Sequence, residues 1–319
     1  MVNGIPIDSS NTVNTTTNDA TSSREDLTSR QLPEMTLSTG DETSNTAAPP
    51  PMPHYLDNTG RALYRFGIEG CGVVTGGAGV LALASARALL EHGLSGLALW
   101  DISFAHAASE IFSMRSDFPN VKIMTLECDV TDEKSVGKAV ERTVEGLGSV
   151  NLLCCFAGVV NCAPSLDVGV EEWRRVIDVN LTGAFICARA VGRTMIKEFT
   201  PGPIVFISSL SAHRVNYPQP QSAYNSSKAG LTHLTRSLAA EWAVYGIRVN
   251  SISPGYMDTI LNEGDGLENA RRIWNTRNPM GRMGVASEIT GPLVLLCSAA
   301  AGGFINGADI KVDGGASIF

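Results

Sequence analysis

The sequence predicts an α/β fold built on one doubly wound parallel sheet, and three observations carry that prediction. From Gly70 onward, short β-branched or apolar runs alternate with helix-length amphipathic stretches, the pattern of βαβ units. The longer stretches are apolar at three- and four-residue spacing, the period of a helix with one buried face. The first short run opens into a glycine-rich turn that leads straight into a helical stretch.

Strands are expected at Gly72 to Thr75, Leu97 to Trp100, Val121 to Leu126, Val150 to Phe156, Ile204 to Ser208, Ile247 to Ile252 and Ala308 to Val312. Helices are expected at Leu81 to His92, Asp132 to Gly146, Trp173 to Phe199 and Ala223 to Tyr245, with a last helix before the final strand. The polar stretch from Met257 to Met283 breaks the alternation, and a connection this long reads as a mobile lid over a substrate. In such a sheet, ligands bind at the carboxyl ends of the strands.

The chain of 319 residues is 44% hydrophobic and 18% charged, enough apolar material for one large core. Residues 1–55 are rich in Ser, Thr, Asn, Asp and Pro and sustain neither a helical nor a strand period. They read as a disordered extension, leaving residues 56–319 as a single domain. A net charge of -8 argues against a nucleic-acid partner, which needs a basic surface. The seven cysteines lie scattered in apolar runs without a C-x-x-C pair, and the histidines do not cluster with them. Reduced buried thiols and no metal site are expected. No stretch has the length of a membrane span or the form of a signal peptide, which places the protein in the cytoplasm.

Two ends of one cleft can be read from the residues. In Thr75-Gly76-Gly77-Ala78-Gly79 the backbone N–H groups can approach a pyrophosphate at a positive helix end, although a tight structural turn looks similar. Asp101 stands right after the second strand, where a carboxylate accepts from an adenosine ribose and repels a 2′-phosphate. No Lys or Arg lies beside it, so NAD is favoured over NADP; Asp101 equally reads as a helix N-cap. Asp129 and Val130 follow the third strand, and Ala157 and Gly158 the fourth, the latter pair small enough for close approach of a ligand.

At the other end, Tyr224 and Lys228 share one face of a helix, so an ammonium can favour phenolate and make the tyrosine a general acid/base. The fifth strand delivers Ser208 and Ser209 to the same edge. Asn180 lies within a long helical stretch, either as a satisfied core amide or at a helix distortion.

The ordered series glycine turn, Asp-Val, Ala-Gly, Val-Asn-Leu-Thr-Gly, Ile-Ser-Ser, Tyr-x-x-x-Lys, Arg-Val-Asn-x-Ile-x-Pro-Gly and Val-Asp-Gly-Gly resembles the short-chain dehydrogenase/reductase family over about residues 60–319. The resemblance implies a Rossmann-type fold and an NAD(P)-dependent enzyme that interconverts a secondary alcohol and a ketone. It implies that Tyr224 exchanges the proton, Ser209 holds the substrate oxygen, Lys228 binds the nicotinamide ribose and lowers the tyrosine pKa, and Asn180 holds a relay water. Thr75, Gly76, Gly79 and Leu81 would line the pyrophosphate, and Pro254, Gly255 and Thr259 would meet the nicotinamide amide. A homo-oligomer, dimer or tetramer, acting on a small molecule is likewise implied. The stretch Val215 to Tyr224 is similar to fungal mannitol, arabinitol and sorbose dehydrogenases. Within it, Asn216, Gln219 and Gln221 either bind hydroxyls or shape a loop.

The series departs from the family in three places. Val80 and Ala82 replace the later glycines of the turn, and Phe156 stands where an asparagine is usual. Val80 would crowd the pyrophosphate or shift the turn onto Gly79. That motivates a second reading, a scaffold turned to non-redox acid/base catalysis or to binding. Ser209 lies fifteen residues before Tyr224, and Ser211 stands at the more usual thirteen; Ser209 is preferred because it directly ends the strand.

Overall fold

In a computed structural model, residues 32–259, 262 and 264–318 of the chain are described. Seven strands, β1 (Cys71–Thr75), β2 (Gly96–Asp101), β3 (Lys122–Glu127), β4 (Leu152–Cys155), β5 (Pro203–Ile207), β6 (Arg248–Pro254) and β7 (Asp309–Val312), form one sheet in the order β3-β2-β1-β4-β5-β6-β7. Every neighbouring pair is parallel. The order reverses between β1 and β4, the place at the strands' carboxyl ends where such sheets bind ligands.

The sheet is buried on both faces, and successive residues of one strand point into different cores. Val74, Leu99, Cys154 and Val205 pack on one face under α2 (Val80–Glu91), α3 (Ala108–Asp117) and α9 (Thr290–Cys297). Val73, Trp100, Leu153 and Phe206 pack on the other under α4 (Glu133–Leu147), α6 (Ala184–Lys197) and α7 (Ser222–Trp242). The apolar runs of the sequence follow from this, since both sides of each central strand must leave water. The indole N–H of Trp100, buried in the second core, donates to Thr143 Oγ1 on α4 at 3.1 Å.

The expected helix from Trp173 to Phe199 is one rod in three parts. It runs from α5 (Val170–Ile177) through a π-helical turn (Asp178–Gly183) into α6, and Phe199 lies beyond it with a φ of +56°. The pattern of apolar residues carries across a π turn, which is why the sequence reads as a single helix; Asn180 sits on the distortion. Strand four is shorter than expected because Asn151 turns its carboxamide to the Cys71 N–H. Strand five ends before Ser208, whose hydroxyl turns to α7 and bonds Lys228 O at 3.1 Å and Thr232 Oγ1 at 2.7 Å.

The segment 257–283 is not a plain loop: it holds α8 (Glu268–Thr276), whose Trp274 is buried against Tyr256. Three further helices escaped the sequence reading, α3, α1 (Asn58–Phe66) and the short α10 (Ala299–Gly302), and α1 packs near α10 through Ser298 Oγ donating to Arg65 O. Part of the expected unstructured extension, residues 1–31, lies outside the described residues. Residues 32–57 contain no helix or strand, yet Asn45 Nδ2 donates to Val244 O at 3.3 Å, so this stretch touches the folded body. Among the described residues no helix is long and apolar enough to cross a membrane.

Candidate active site

The sequence-predicted residues gather along the carboxyl edge of the sheet, and the glycine turn is its first corner. Thr75 ends β1 buried, and its Oγ1 accepts from Ala157 N at 3.3 Å, joining the turn to the loop after β4. Gly76 has a φ of +62°, and a Cβ there would lie 2.6 Å from Ala157 N. Both restrictions demand glycine. Gly76→Ala is expected to cost about 2–4 kcal/mol of stability, seen as a lowered Tm; an unchanged Tm would mean that the turn is free to move.

Gly79 precedes α2 with an ordinary φ of -73°, and no side chain caps the first turn of that helix. Leu81 is partly buried on that turn. Val80, expected to crowd the pyrophosphate or shift the turn onto Gly79, opens α2 with its side chain 41% exposed. Asp101 Oδ2 accepts from Ala78 N at 3.0 Å and Oδ1 from Ser103 N at 3.2 Å. It therefore braces the turn and does not cap a helix: α3 begins at Ala108 and its N-cap is Ala107. Each carboxylate oxygen keeps a second lone pair. Asp129 Oδ1 is bonded to Thr131 N and Oγ1, at 2.9 and 2.7 Å, while Val130 is buried.

The residues on this edge fit a dinucleotide. The uncapped α2 terminus lies beside a turn that lacks side-chain bulk, Asp101 retains acceptor capacity, and Gly158 leaves a gap. A Cβ on Gly158 would stand 3.3 Å from Asn180 Oδ1 and 3.6 Å from Lys228 Nζ. Across the cleft, Gly255 N donates to Val312 O at 2.9 Å, which pins the segment after Pro254 to β7, and Thr259 is buried beyond it.

The catalytic end is built around the first turns of α7. Lys228 is buried, its Nζ donates to Ile207 O at 2.7 Å and lies 5.6 Å from the centroid of the Tyr224 ring. Burial pulls its pKa down to about 8. Burial pushes the Tyr224 phenol above its ordinary value, opposed by the Ser209 hydroxyl. The expected lowering of the tyrosine by Lys228 is not seen in the protein alone. The ammonium lies over the ring and is bonded to a carbonyl, while desolvation of the phenolate dominates.

Asn180 Oδ1 accepts from Val159 N at 2.7 Å, and Nδ2 donates to Val159 O and to Ser227 Oγ at 2.9 and 3.0 Å. Both of its N–H groups are committed, so the side chain clamps the loop after β4 to α7. Ser209 Oγ accepts from Ser211 N at 3.1 Å and lies 3.0 Å from Ser211 Oγ. The Ser211 hydroxyl donates to Asn216 Oδ1 at 2.7 Å, and it is Ser209 that opposes the rise in the Tyr224 pKa.

Two residues of this end were not found by sequence reasoning. Tyr256 follows Pro254-Gly255, and its hydroxyl receives Asn216 Nδ2 at 3.0 Å and Gln219 Nε2 at 3.1 Å. Its ring stacks on Trp274, centroids 4.3 Å apart and planes 10° from parallel. The place of Tyr256 next to the Pro-Gly pair was a usable signal; Trp274 offered none, because the stack joins it across a gap in sequence. Asn161, in the loop that Asn180 clamps, is buried with neither atom of its carboxamide bonded to protein.

Comparison with known proteins agrees with this geometry. A family model described as Enoyl-(Acyl carrier protein) reductase matches residues 76–317. The NADP-dependent mannitol dehydrogenase of Alternaria alternata is 38% identical over 245 residues, 76% of this chain and 90% of that protein. The ribulose-forming D-arabinitol 2-dehydrogenase of Candida tropicalis is 34% identical, again over 76% of this chain and 90% of its own length. Among solved structures, the NADPH-dependent 3-quinuclidinone reductase of Rhodotorula rubra matches with a TM-score of 0.76 at 30% identity, covering 86% of this chain and 98% of that one. A non-redox scaffold finds no support among these relatives, each named for an oxidoreductase. With the glycine turn, the buried lysine and the tyrosine on one edge of the sheet, the chain is an NAD(P)-dependent oxidoreductase belonging to the short-chain dehydrogenase/reductase family.

Proposed function

We propose that the enzyme interconverts a polyol and its ketose, preferring NAD, with Tyr224, Ser209, Lys228 and Asn180 as its working group. The observation that carries this reading is the meeting of Tyr224 with an amide-rich wall, Asn216 and Gln219 held on Tyr256, at the mouth of the same cleft. Such a polar wall suits a substrate with several hydroxyls better than an apolar ketone, which would desolvate the wall's polar groups without replacing their contacts to water. The names of the mannitol and arabinitol relatives support the same substrate class.

The nicotinamide ring, when bound, supplies or takes a hydride. Residues Thr75, Gly76, Gly79 and Leu81 would hold the pyrophosphate, and Asp101, Asp129 and Val130 the adenosine half. Ala157, Gly158, Pro254, Gly255 and Thr259 would face the nicotinamide half. Ser209 holds the substrate oxygen, and Tyr224 gives that oxygen a proton in ketone reduction or takes it in alcohol oxidation. Lys228, charged below about pH 8, presents its ammonium beside Gly158, where a ribose hydroxyl would lie. The carboxamide of Asn180 is spent on the loop, so a relay water would fall to its backbone carbonyl on the π turn.

Asp101 supports NAD: a carboxylate accepts from ribose hydroxyls and repels a 2′-phosphate, and no basic side chain stands beside it in sequence. The relatives named NADP-dependent make this the point to test. Purified protein is expected to oxidise mannitol or arabinitol, and to reduce the matching ketoses, with a higher kcat/KM for NAD(H) than for NADP(H). Asp101→Asn is expected to move that ratio about tenfold toward NADP, roughly 1.4 kcal/mol. Absence of turnover on any polyol or ketose with either nucleotide would refute the polyol reading, and a higher kcat/KM for NADP(H) in the wild type would refute the preference. We place the enzyme in the cytoplasm as a homo-oligomer, with residues 56–319 as its one domain and residues 1–55 as an extension.

A further inference from the structure

The hydroxyl chain beside Tyr224 runs in one direction. Ser209 Oγ donates to Ser211 Oγ at 3.0 Å, Ser211 Oγ to Asn216 Oδ1 at 2.7 Å, and Asn216 Nδ2 to the Tyr256 hydroxyl at 3.0 Å. From the other side, Trp274 Nε1 donates to Gln219 Oε1 at 3.1 Å, and Gln219 Nε2 donates to the same Tyr256 hydroxyl at 3.1 Å. An indole nitrogen is a donor only, so the Trp274 contact fixes which end of Gln219 is the acceptor and hence which end faces Tyr256. The Tyr256 oxygen thus receives two amide donors, filling its acceptor capacity. Its own proton has no protein acceptor among the described residues.

We infer that Tyr256 is a specificity-determining residue, whose phenolic O–H donates to a hydroxyl of the substrate next to the carbon that Tyr224 serves. The inference rests on the polyol reading and assigns to one residue the recognition of the hydroxyl beside the reacting carbon that every ketose and polyol carries. The donor is preorganised: the ring is stacked on Trp274 and the oxygen is fixed by Asn216 and Gln219, so little rotational freedom remains to be lost on binding. The two phenols are near enough that Tyr256 also pushes up the pKa of Tyr224, as neighbouring acidic groups of one cleft do. A ketone without a neighbouring hydroxyl would cover the half-buried phenol O–H and leave it unpaired, a cost that selects against it.

The test compares Tyr256→Phe with the wild type on a ketose, D-fructose or D-ribulose, and on cyclohexanone, each with saturating nicotinamide nucleotide. Phenylalanine keeps the stack on Trp274 and removes only the hydroxyl. The ratio of kcat/KM for the ketose to that for cyclohexanone is expected to fall at least about tenfold, chiefly through KM for the ketose. Trp274→Phe, which keeps a stacking ring but removes the donor that orients Gln219, is expected to lower the same ratio by a smaller factor. A ratio unchanged in Tyr256→Phe, or an equal loss on both substrates, would overturn the inference. If the wild type itself uses no polyol or ketose, the failure is that of the polyol reading; if it uses them and the variant keeps its selectivity, only the role of Tyr256 fails.

Discussion

Tyr224→Phe is expected to lower kcat by about 10²–10⁴-fold in both directions, because it removes the one proton donor and acceptor that Ser209 and Lys228 are arranged around. The phenyl ring keeps the packing on α7, so nucleotide affinity and Tm should stay near wild type, checked by fluorescence titration and thermal unfolding. An active variant would show that another group moves the proton. The direction of the Tyr224 shift adds a pH profile. Burial holds the residue as phenol well past neutrality, so ketone reduction, which needs the proton, should persist at neutral pH. Alcohol oxidation, which needs phenolate, should climb as the pH rises above neutral. A falling oxidation rate over the same range would contradict the role of Tyr224 as base.

Lys228→Met separates function from stability at one residue. The ammonium is buried with one carbonyl for company, and its pKa falls from an ordinary 10.5 to about 8. The folded protein therefore holds this proton less tightly than the unfolded chain does. The resulting cost is fully present below about pH 8 and fades as the pH rises toward 10.5. It amounts to roughly 3 kcal/mol. Methionine, similar in length and apolar, removes the charge and leaves only Ile207 O without its donor, a loss of about 1 kcal/mol. At pH 7 the variant is expected to be more stable than the wild type, and the gap should close by pH 10. Activity moves the other way: kcat/KM should fall by about a hundredfold or more, since the charge proposed to hold the cofactor's ribose is gone. Urea unfolding of both proteins at the two pH values, with kinetics beside it, reads out the pair. Equal stability at pH 7 would show that the ammonium is not a burden in the fold.

The buried lysine also shows where sequence reasoning stops. The spacing of Tyr224 and Lys228 puts them on one helix face, and from that alone the ammonium should lower the phenol. What the spacing does not carry is solvent. Desolvation depends on what packs above the pair, on Ile207 from β5 and on the loop clamped by Asn180, and it reverses the sign of the tyrosine shift. The same limit applies at Val80. Whether its branched side chain obstructs a pyrophosphate depends on where the turn holds it, and it stands 41% exposed at the start of α2.

Sequence by itself determined the parallel α/β sheet and its seven strands to within a few residues, and the ordered family motifs pointed to Tyr224, Lys228, Asn180 and Ser209 as a candidate group. Apolar periodicity is a local property, and the sheet and its strands rest on it, whereas the candidate group rests on the resemblance of an ordered series of motifs to a family. Only the tertiary structure decided that the helix through Asn180 turns π-helical, that Ser211 is spent on Asn216, and that Tyr256 and Trp274 stack beside the cleft. These depend on side chains that meet from β5, β6, α7 and α8, and a hydrogen bond or a stack between distant segments leaves no period in the chain that makes it.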